Sequence, residues 1–351
     1  MHCTSPRRGY TWIELVVILI IVGLLVGLLI PFVLSSREAA RRTECQNNLK
    51  QIGLGFQNME SAIKRFPPSC QVGKDEAGKI TSMDGWSWLV YILPYMECKT
   101  LFPGLNFEGG LPLDGSAPHK NALATVITEF HCPSFSGDPF VDPATETEAI
   151  TNYKAMGATH IESLNVASLN PTTPRYAPDP PASSDPKRHP DGGIFPGSTH
   201  GINGFRTDGT AHTMLVVETK EQNVARWTVG RETCLVGLPP VVTFAEEYGY
   251  WHPRGYQPNK HFELSTTPAT IDKTYLQWDY DAHPYDDGGV GIPSTKASGP
   301  IRYGPSSDHP GVTNHVFADG SVQCIPDRID AALYMFVITR NGGDPVQSED
   351  P

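Results

Sequence analysis

The feature that most constrains this chain is a run of nearly unbroken apolar residues from Leu15 to Leu34, headed by a single acid, Glu14. As a helix rising about 1.5 Å per residue, a run of some twenty residues covers roughly 30 Å, the hydrocarbon thickness of a bilayer. It is too long, and too poor in small residues at its end, for a routine cleaved secretory signal. A carboxylate in hydrocarbon costs about 2.5–3.5 kcal/mol, so Glu14 needs either a partner or a place at headgroup level. Arg7 and Arg8 precede the run and Arg37, Arg41 and Arg42 follow it, so counting positive charges does not orient it.

The residues ahead of the run offer Glu14 a partner. Pro6-Arg7-Arg8 ends in Gly9, the aromatic Tyr10 follows, and Glu14 stands five positions after the glycine. This arrangement resembles a type IV prepilin or type II secretion pseudopilin start, with Tyr10 and Trp12 in place of the more usual phenylalanine and leucine. The resemblance implies cleavage between Gly9 and Tyr10 by prepilin peptidase and N-methylation of Tyr10. It also implies that the new α-amino group, with a pKa of about 7.7–8.0 and mostly protonated at neutral pH, pairs with Glu14 of a neighbouring subunit during assembly. Pro31 falls where many pilin helices carry a proline, and is expected to kink the helix. A leader facing the cytoplasm then gives a single-pass protein of the cytoplasmic (inner) membrane with its body in the periplasm.

Beyond the apolar run the helix is expected to continue. Arg37-Glu38-Ala39-Ala40-Arg41-Arg42 is strongly helix-forming, and Leu49, Ile52, Phe56, Met59 and Ile63 recur at three- and four-residue steps. Such a stripe packs on a globular body, Gly53 and Gly55 allow close approach to a sheet, and Phe66-Pro67-Pro68 ends the helix. The chain thus divides into a leader (1–9), a transmembrane half-helix (10–34), an amphipathic half-helix (35–65), a head (66–345) and a polar tail (346–351). Within the head, 170–192 is rich in proline, serine and aspartate and is expected to be an exposed loop. It leaves open one head domain or two, with one favoured.

Composition bounds the head. Thirty-three glycines and 32 prolines in 351 residues point to many turns, and a net charge of −11 argues against a nucleic-acid surface. Of seven cysteines, Cys3 lies in the leader. The others, Cys45, Cys70, Cys98, Cys132, Cys234 and Cys324, allow about fifteen disulfide connectivities, with buried free thiols an equal alternative. Their wide spacing, without a CxxC pair, is unlike a zinc ribbon. The fold class expected is α+β, a long N-terminal helix packed on a mostly antiparallel β-rich head. Short helices are expected near Trp86–Tyr91, Ala122–Glu129 and Ile329–Ile338.

The stretch from Glu38-Ala39-Ala40-Arg41-Arg42 to Asn47-Asn48-Leu49-Lys50-Gln51-Ile52-Gly53 resembles the DUF1559 family of prepilin-like proteins. So do Ser87-Trp88-Leu89 through Leu93-Pro94-Tyr95-Met96-Glu97, then Phe130-His131-Cys132-Pro133-Ser134 and Thr151-Asn152-Tyr153 to Gly157. Asp208-Gly209-Thr210 running into Thr213-Met214-Leu215-Val216-Val217-Glu218 follows the same likeness, and His309 standing nine residues before Asp319-Gly320 carries the family's H-x9-DG signature.

Physically these inner motifs read as scaffold. Asp319-Gly320 reads as a two-residue type I′ hairpin turn, His309 as a hydrogen-bonding loop residue, and Trp86, Trp88, Tyr91 and Tyr95 as core or helix-docking surface. Asp279, Asp281, Asp286 and Asp287 are weak Ca²⁺ candidates; without the EF-hand order they read as a solvated acidic loop, and no other cofactor is expected. No HExxH, GxSxG, Walker loop or GxGxxG appears, so no enzyme is expected. The function expected first is a pilin-like filament subunit, with prepilin peptidase, other pilin-like subunits and membrane lipid as partners and no nucleic acid. A membrane-tethered module binding a carbohydrate or exported protein comes second. An exported hydrolase using His309, Asp319 or the acidic loop comes third.

Overall fold

The first element, α1 (Trp12–Ile63), is one helix of 52 residues, roughly 80 Å long. Its start is fixed locally by a capping box. Thr11 Oγ1 accepts from the Glu14 N–H at 3.4 Å, and Glu14 Oε2 accepts from the Thr11 N–H at 2.8 Å. Pro31 lies inside the helix without interrupting it, although its nitrogen has no proton to offer the Gly27 carbonyl. The most apolar stretch of α1 buries nothing against the rest of the protein and is long and apolar enough to cross a membrane. Further along, the same helix becomes a packing element: Cys45, Leu49, Ile52 and Phe56 are fully buried, and only Ile63, last of the expected stripe, is left half exposed. The helix stops at Lys64, which takes a left-handed φ of 58° and caps Glu60 O at 2.7 Å.

This computed structural model describes residues 11–74, 80–82, 85–96, 105, 107, 111–158, 192–197, 199–205, 208–237, 304–326, 329 and 331–340. Gly9, Tyr10, positions 170–191 of the proline-rich loop, Asp279, Asp281, Asp286, Asp287 and the tail lie outside them. A two-stranded ribbon, β1 (Gly73–Lys74) with β2 (Ile80–Ser82), follows α1. The central sheet comprises β3 (Tyr153–Ala158), β4 (Met214–Glu218), β5 (Cys234–Val236), β6 (Val312–Phe317) and β7 (Val322–Pro326) in the order β5-β3-β4-β6-β7. Three of its four pairings are antiparallel, and β3–β5 is parallel. The α+β class and the mostly antiparallel head therefore stand, with one parallel edge added.

Alternation along the strands builds two cores, except in β4, where Leu215 and Val216 both join the α1 side and the register with β6 shifts between Met214 and Val216. Ala155, Leu215, Val216 and Val316 face α1 together with α2 (Trp88–Ile92), whose Trp88 stacks on Phe56 with centroids 5.3 Å apart. Met156, Met214, Val217 and Phe317 face the opposite way, onto Tyr334 and Ile338 of the C-terminal helix. That helix, α4 (Ala331–Ile338), agrees with the expected Ile329–Ile338, and α2 with the expected Trp86–Tyr91. The helix expected over Ala122–Glu129 lies earlier, as α3 (Ala117–Leu123), followed by a single 3₁₀ turn at Thr128–Phe130. Pro118 presets the start of α3, and Thr125 Oγ1, bonded to Asn121 O at 2.7 Å, helps close its end.

The Asp319-Gly320 turn also differs from expectation. Gly320 has φ +79°, but Asp319 is not among the positive-φ residues, so the turn is not type I′. Gly320 N–H bonds Phe317 O at 2.9 Å, Phe317 N–H bonds Ser321 O at 2.9 Å, and Asp319 Oδ1 accepts from Ser321 N–H at 2.8 Å. This is the three-residue hairpin, a tight turn closed by a left-handed glycine.

On the α4 face His315 is fully buried, with Nδ1 3.0 Å from Thr313 O and Nε2 2.8 Å from Tyr334 Oη. Burial pulls its pKa down to about 3. The unfolded chain, with histidine near 6.5, then binds more protons between those two values, so stability falls as pH drops through that window. From about pH 7.5 to about pH 5 the expected loss is about 2 kcal/mol. Urea unfolding of wild type and His315→Gln at both pH values checks it: the variant's pH dependence should be shallower by that amount.

Candidate functional site

The segments through which the chain resembles its family meet along one seam, where α1 lies on the sheet. His309 enters it from the loop before β6, its N–H bonded to Ser307 Oγ at 3.1 Å. The imidazole is buried. Its Nδ1 lies 2.9 Å from Glu38 Oε1 on α1, while Nε2 faces Cys132 Sγ at 3.4 Å and Glu218 Oε1 at 3.7 Å. Cys132 is disulfide-bonded to Cys45 of α1, and its N–H bonds Asn152 Oδ1 at 3.0 Å. Tyr153 Oη reaches Cys45 O at 3.5 Å, and Asn48 Nδ2 donates to His131 O at 2.8 Å.

The two glutamates differ because their surroundings differ. Partial burial works against the charge on Glu38, but hydrogen bonds from His309, Arg41 and Ser134 outweigh it and hold its pKa below the ordinary carboxylate value. Glu218, at the end of β4, is buried, and that burial raises its pKa against the pull of His309, Asn314 and Ser307. Its Oε2 accepts from Asn314 N–H at 3.0 Å and Nδ2 at 2.8 Å, whereas Oε1 makes no hydrogen bond. Beside it lies a cavity of about 10 Å³ lined by Cys132, Glu218, Ser306, Ser307 and Asp308, room for one water-sized species. It is too small for an organic substrate.

The other end of the H-x9-DG signature grips the same helix farther along. Lys50 Nζ donates to Gly320 O at 2.7 Å, and Gln57 Nε2 donates to Ala318 O. Between them Gly53 lies so close that a Cβ there would stand 3.1 Å from Gly320 O and 3.2 Å from Val316. The sheet contact expected of Gly53 is thus present. Gly55 instead faces Met96, whose Cγ would lie 2.9 Å from an added Cβ. Asp319 is an exposed turn former, as its dipeptide suggested. His309 is more than a loop residue: it joins α1, the disulfide and β4.

Of the other expected residues, Trp86 and Trp88 are fully buried, with Tyr91 and Tyr95 packed at the margin of the same core. Cys70 and Cys234 are buried and not disulfide-bonded; Cys324, half-buried, accepts from Gln46 Nε2 at 2.7 Å. No local pattern in the sequence marks Glu38, Glu218 or the Cys45–Cys132 pair as a site. Each sits in a segment of family likeness, which is the signal the sequence carries for them.

A second buried polar group stabilises the turn after β4. Arg226 Nε donates to Glu232 Oε2 at 2.9 Å, its Nη2 also reaches Glu232, and Nη1 reaches Glu148 at 3.0 Å. Nearby Lys154 is fully buried, with Nζ 2.7 Å from Val224 O. Burial draws its pKa down to about 8, against the opposing pull of Glu221 and Glu232. These groups lie in the scaffold, away from the seam.

Neither a curated protein nor a solved structure matches the chain. The family described as a protein of unknown function (DUF1559) matches residues 35–332, most of the chain and every segment of the seam. With its apolar N-terminal half-helix, the chain fits a membrane-anchored extracytoplasmic protein, and it belongs to the DUF1559 family.

Proposed function

We propose that this protein is a pilin-like structural subunit and not an enzyme. A prepilin peptidase cleaves it after Gly9 and Tyr10 becomes the N-methylated first residue. Its apolar half-helix is stored in the cytoplasmic membrane with the head in the periplasm. The helices of many copies then bundle into a type II secretion or type IV pilus-like filament with heads on the outside. The observation that carries this reading is α1 itself, one uninterrupted helix whose first half touches nothing in the head and whose second half is fixed to it at Glu38, Cys45, Lys50, Gly53 and Gln57. A simple tether works through a flexible linker. A filament subunit needs a rigid rod, because the position of its helix in the bundle must set the position of its head. The burial of His309 and the smallness of the cavity beside it favour a structural role for the seam.

The test is the mass and N-terminal sequence of the protein taken from membranes of its native host. The expected result is a chain beginning at N-methylated Tyr10; an intact Met1 start sinks the filament reading in favour of a plain membrane anchor. Glu14→Ala should be cleaved yet fail to enter sheared filaments. Because Glu14 also caps α1 through Thr11, Thr11→Ser and Thr11→Ala serve as controls: both keep the acid and should still assemble.

A further inference from the structure

We propose that Cys45, Cys132, Glu218 and His309 form a redox-controlled site for one divalent cation of borderline softness, Zn²⁺ fitting best. The inference goes beyond the filament reading and does not rest on it. One donor atom from each residue lies within 4.8 Å of the other three, and all four residues are buried. Donor atoms around a tetrahedral Zn²⁺, with bonds of about 2.0–2.3 Å, lie about 3.3–3.8 Å apart, so the wider pairs must close by about 1 Å and the two sulfurs must separate once their bond is broken.

Both non-sulfur donors are already oriented. His309 turns Nε2 toward Cys132 and Glu218 while its other ring nitrogen lies on Glu38 Oε1 at 2.9 Å; a carboxylate in that place fixes ring orientation and tautomer in metal-bound histidines. Glu218 has Oε2 held by Asn314, and its buried Oε1 is left without a hydrogen bond. A buried carboxylate oxygen whose ion-pair neighbour, His309 Nε2 at 3.7 Å, is beyond hydrogen-bond reach calls for an explanation, and a cation that binds in one state of the site supplies it. An adjoining cavity of about 10 Å³, lined by Cys132 and Glu218 but not by Cys45 or His309, leaves these side chains room to shift around an ion.

As a disulfide the two sulfurs are neutral and poor ligands, leaving one nitrogen and one oxygen, too few to hold Zn²⁺ well. A dithiol donor reduces the bond: two electrons and two protons pass to Cys45 and Cys132, and the donor becomes a disulfide. The cation then displaces both thiol protons to solvent, giving two thiolates, one imidazole and one carboxylate around it. Disulfide and cation therefore exclude each other, and each ties α1 to the head through the same residues.

The experiment uses the full chain in detergent and Co²⁺ as the probe. One sample keeps its disulfide. The other is reduced with a phosphine, which takes up oxygen from water as the disulfide becomes two thiols. The reduced protein should bind one equivalent of Co²⁺ with a near-ultraviolet thiolate-to-cobalt charge-transfer band and tetrahedral visible bands, both abolished by Zn²⁺; the oxidised protein should show neither. Reduced His309→Gln and Glu218→Gln should each bind Co²⁺ at least about tenfold more weakly. No charge-transfer band in the reduced wild type overturns the proposal. So does a band undiminished in the Cys45→Ser/Cys132→Ser double variant, which would place the metal on other thiols. Should that double variant lack native circular dichroism, Glu218→Gln decides, because it keeps shape and the Asn314 contacts: unchanged Co²⁺ affinity refutes the site.

Discussion

Cys132→Ser is expected to lower the unfolding free energy by about 4–5 kcal/mol, the largest effect of any single substitution in the seam. The Cys45–Cys132 bond closes a loop of sequence separation 87. Chain entropy makes such a loop worth about 4–5 kcal/mol, nearly half the stability of a typical domain. The bond also sits between the Glu38–His309 contact and the Gly53–Gly320 contact on α1, so the variant frees the middle of the seam. Urea unfolding of the detergent-solubilised chain measures the loss, and phosphine reduction of the wild type should reproduce it. A midpoint shift equivalent to less than about 1 kcal/mol would show that the bond does not constrain the unfolded chain. By contrast Cys324→Ser, which alters only hydrogen bonds with Gln46 and Asn314, should cost no more than about 1.5 kcal/mol.

Glu232→Ala is expected to cost about 3–5 kcal/mol. Glu232 is fully buried and takes two arms of the nearly buried Arg226 guanidinium as well as the Arg226 backbone N–H at 3.0 Å. Without it the cation keeps only Glu148, whose side chain is 30% exposed, and a buried N–H is orphaned. The same loss removes a negative neighbour of buried Lys154. Glu148→Ala should cost no more than about 1 kcal/mol, since a part-exposed pair is screened by water. Thermal or urea unfolding of the two variants side by side checks the contrast; equal losses would mean that burial does not set the value of these pairs.

Most of the rod and much of the head were legible from local pattern. A membrane-length apolar run, the i, i+3, i+4 stripe from Leu49 onward and the Phe66-Pro67-Pro68 stop set the limits of α1 to within a few residues, because helix periodicity and proline sterics act over short distances. The capping box at Thr11 and Glu14 is equally local, a threonine three residues before a glutamate at the head of an apolar run. At Asp319-Gly320 the dipeptide marks a turn, but its type depends on whether Ala318 belongs to the strand, and that is decided by Ala318 N–H bonding Thr213 O at 2.8 Å and Asp319 N–H bonding Thr210 O at 3.0 Å. The displaced α3 shows the same limit: helix propensity near Ala122–Glu129 was real, while proline and threonine contacts chose the boundaries.

The sequence by itself determined that this chain has a membrane-length helix, an acidic, turn-rich α+β head and the segments of one family, since each follows from composition, period or near neighbours. Only the tertiary structure decided that Glu38, Cys45, Cys132, Glu218 and His309 share one buried point. These five residues come from four segments spread over more than half the chain, and no periodicity links a helix face, a loop after a 3₁₀ turn, the end of β4 and the entry to β6. Their meeting depends on the sheet order that places β4 beside β6 beneath α1. That order is set by which buried faces pack together, a property of the whole fold and not of any local stretch.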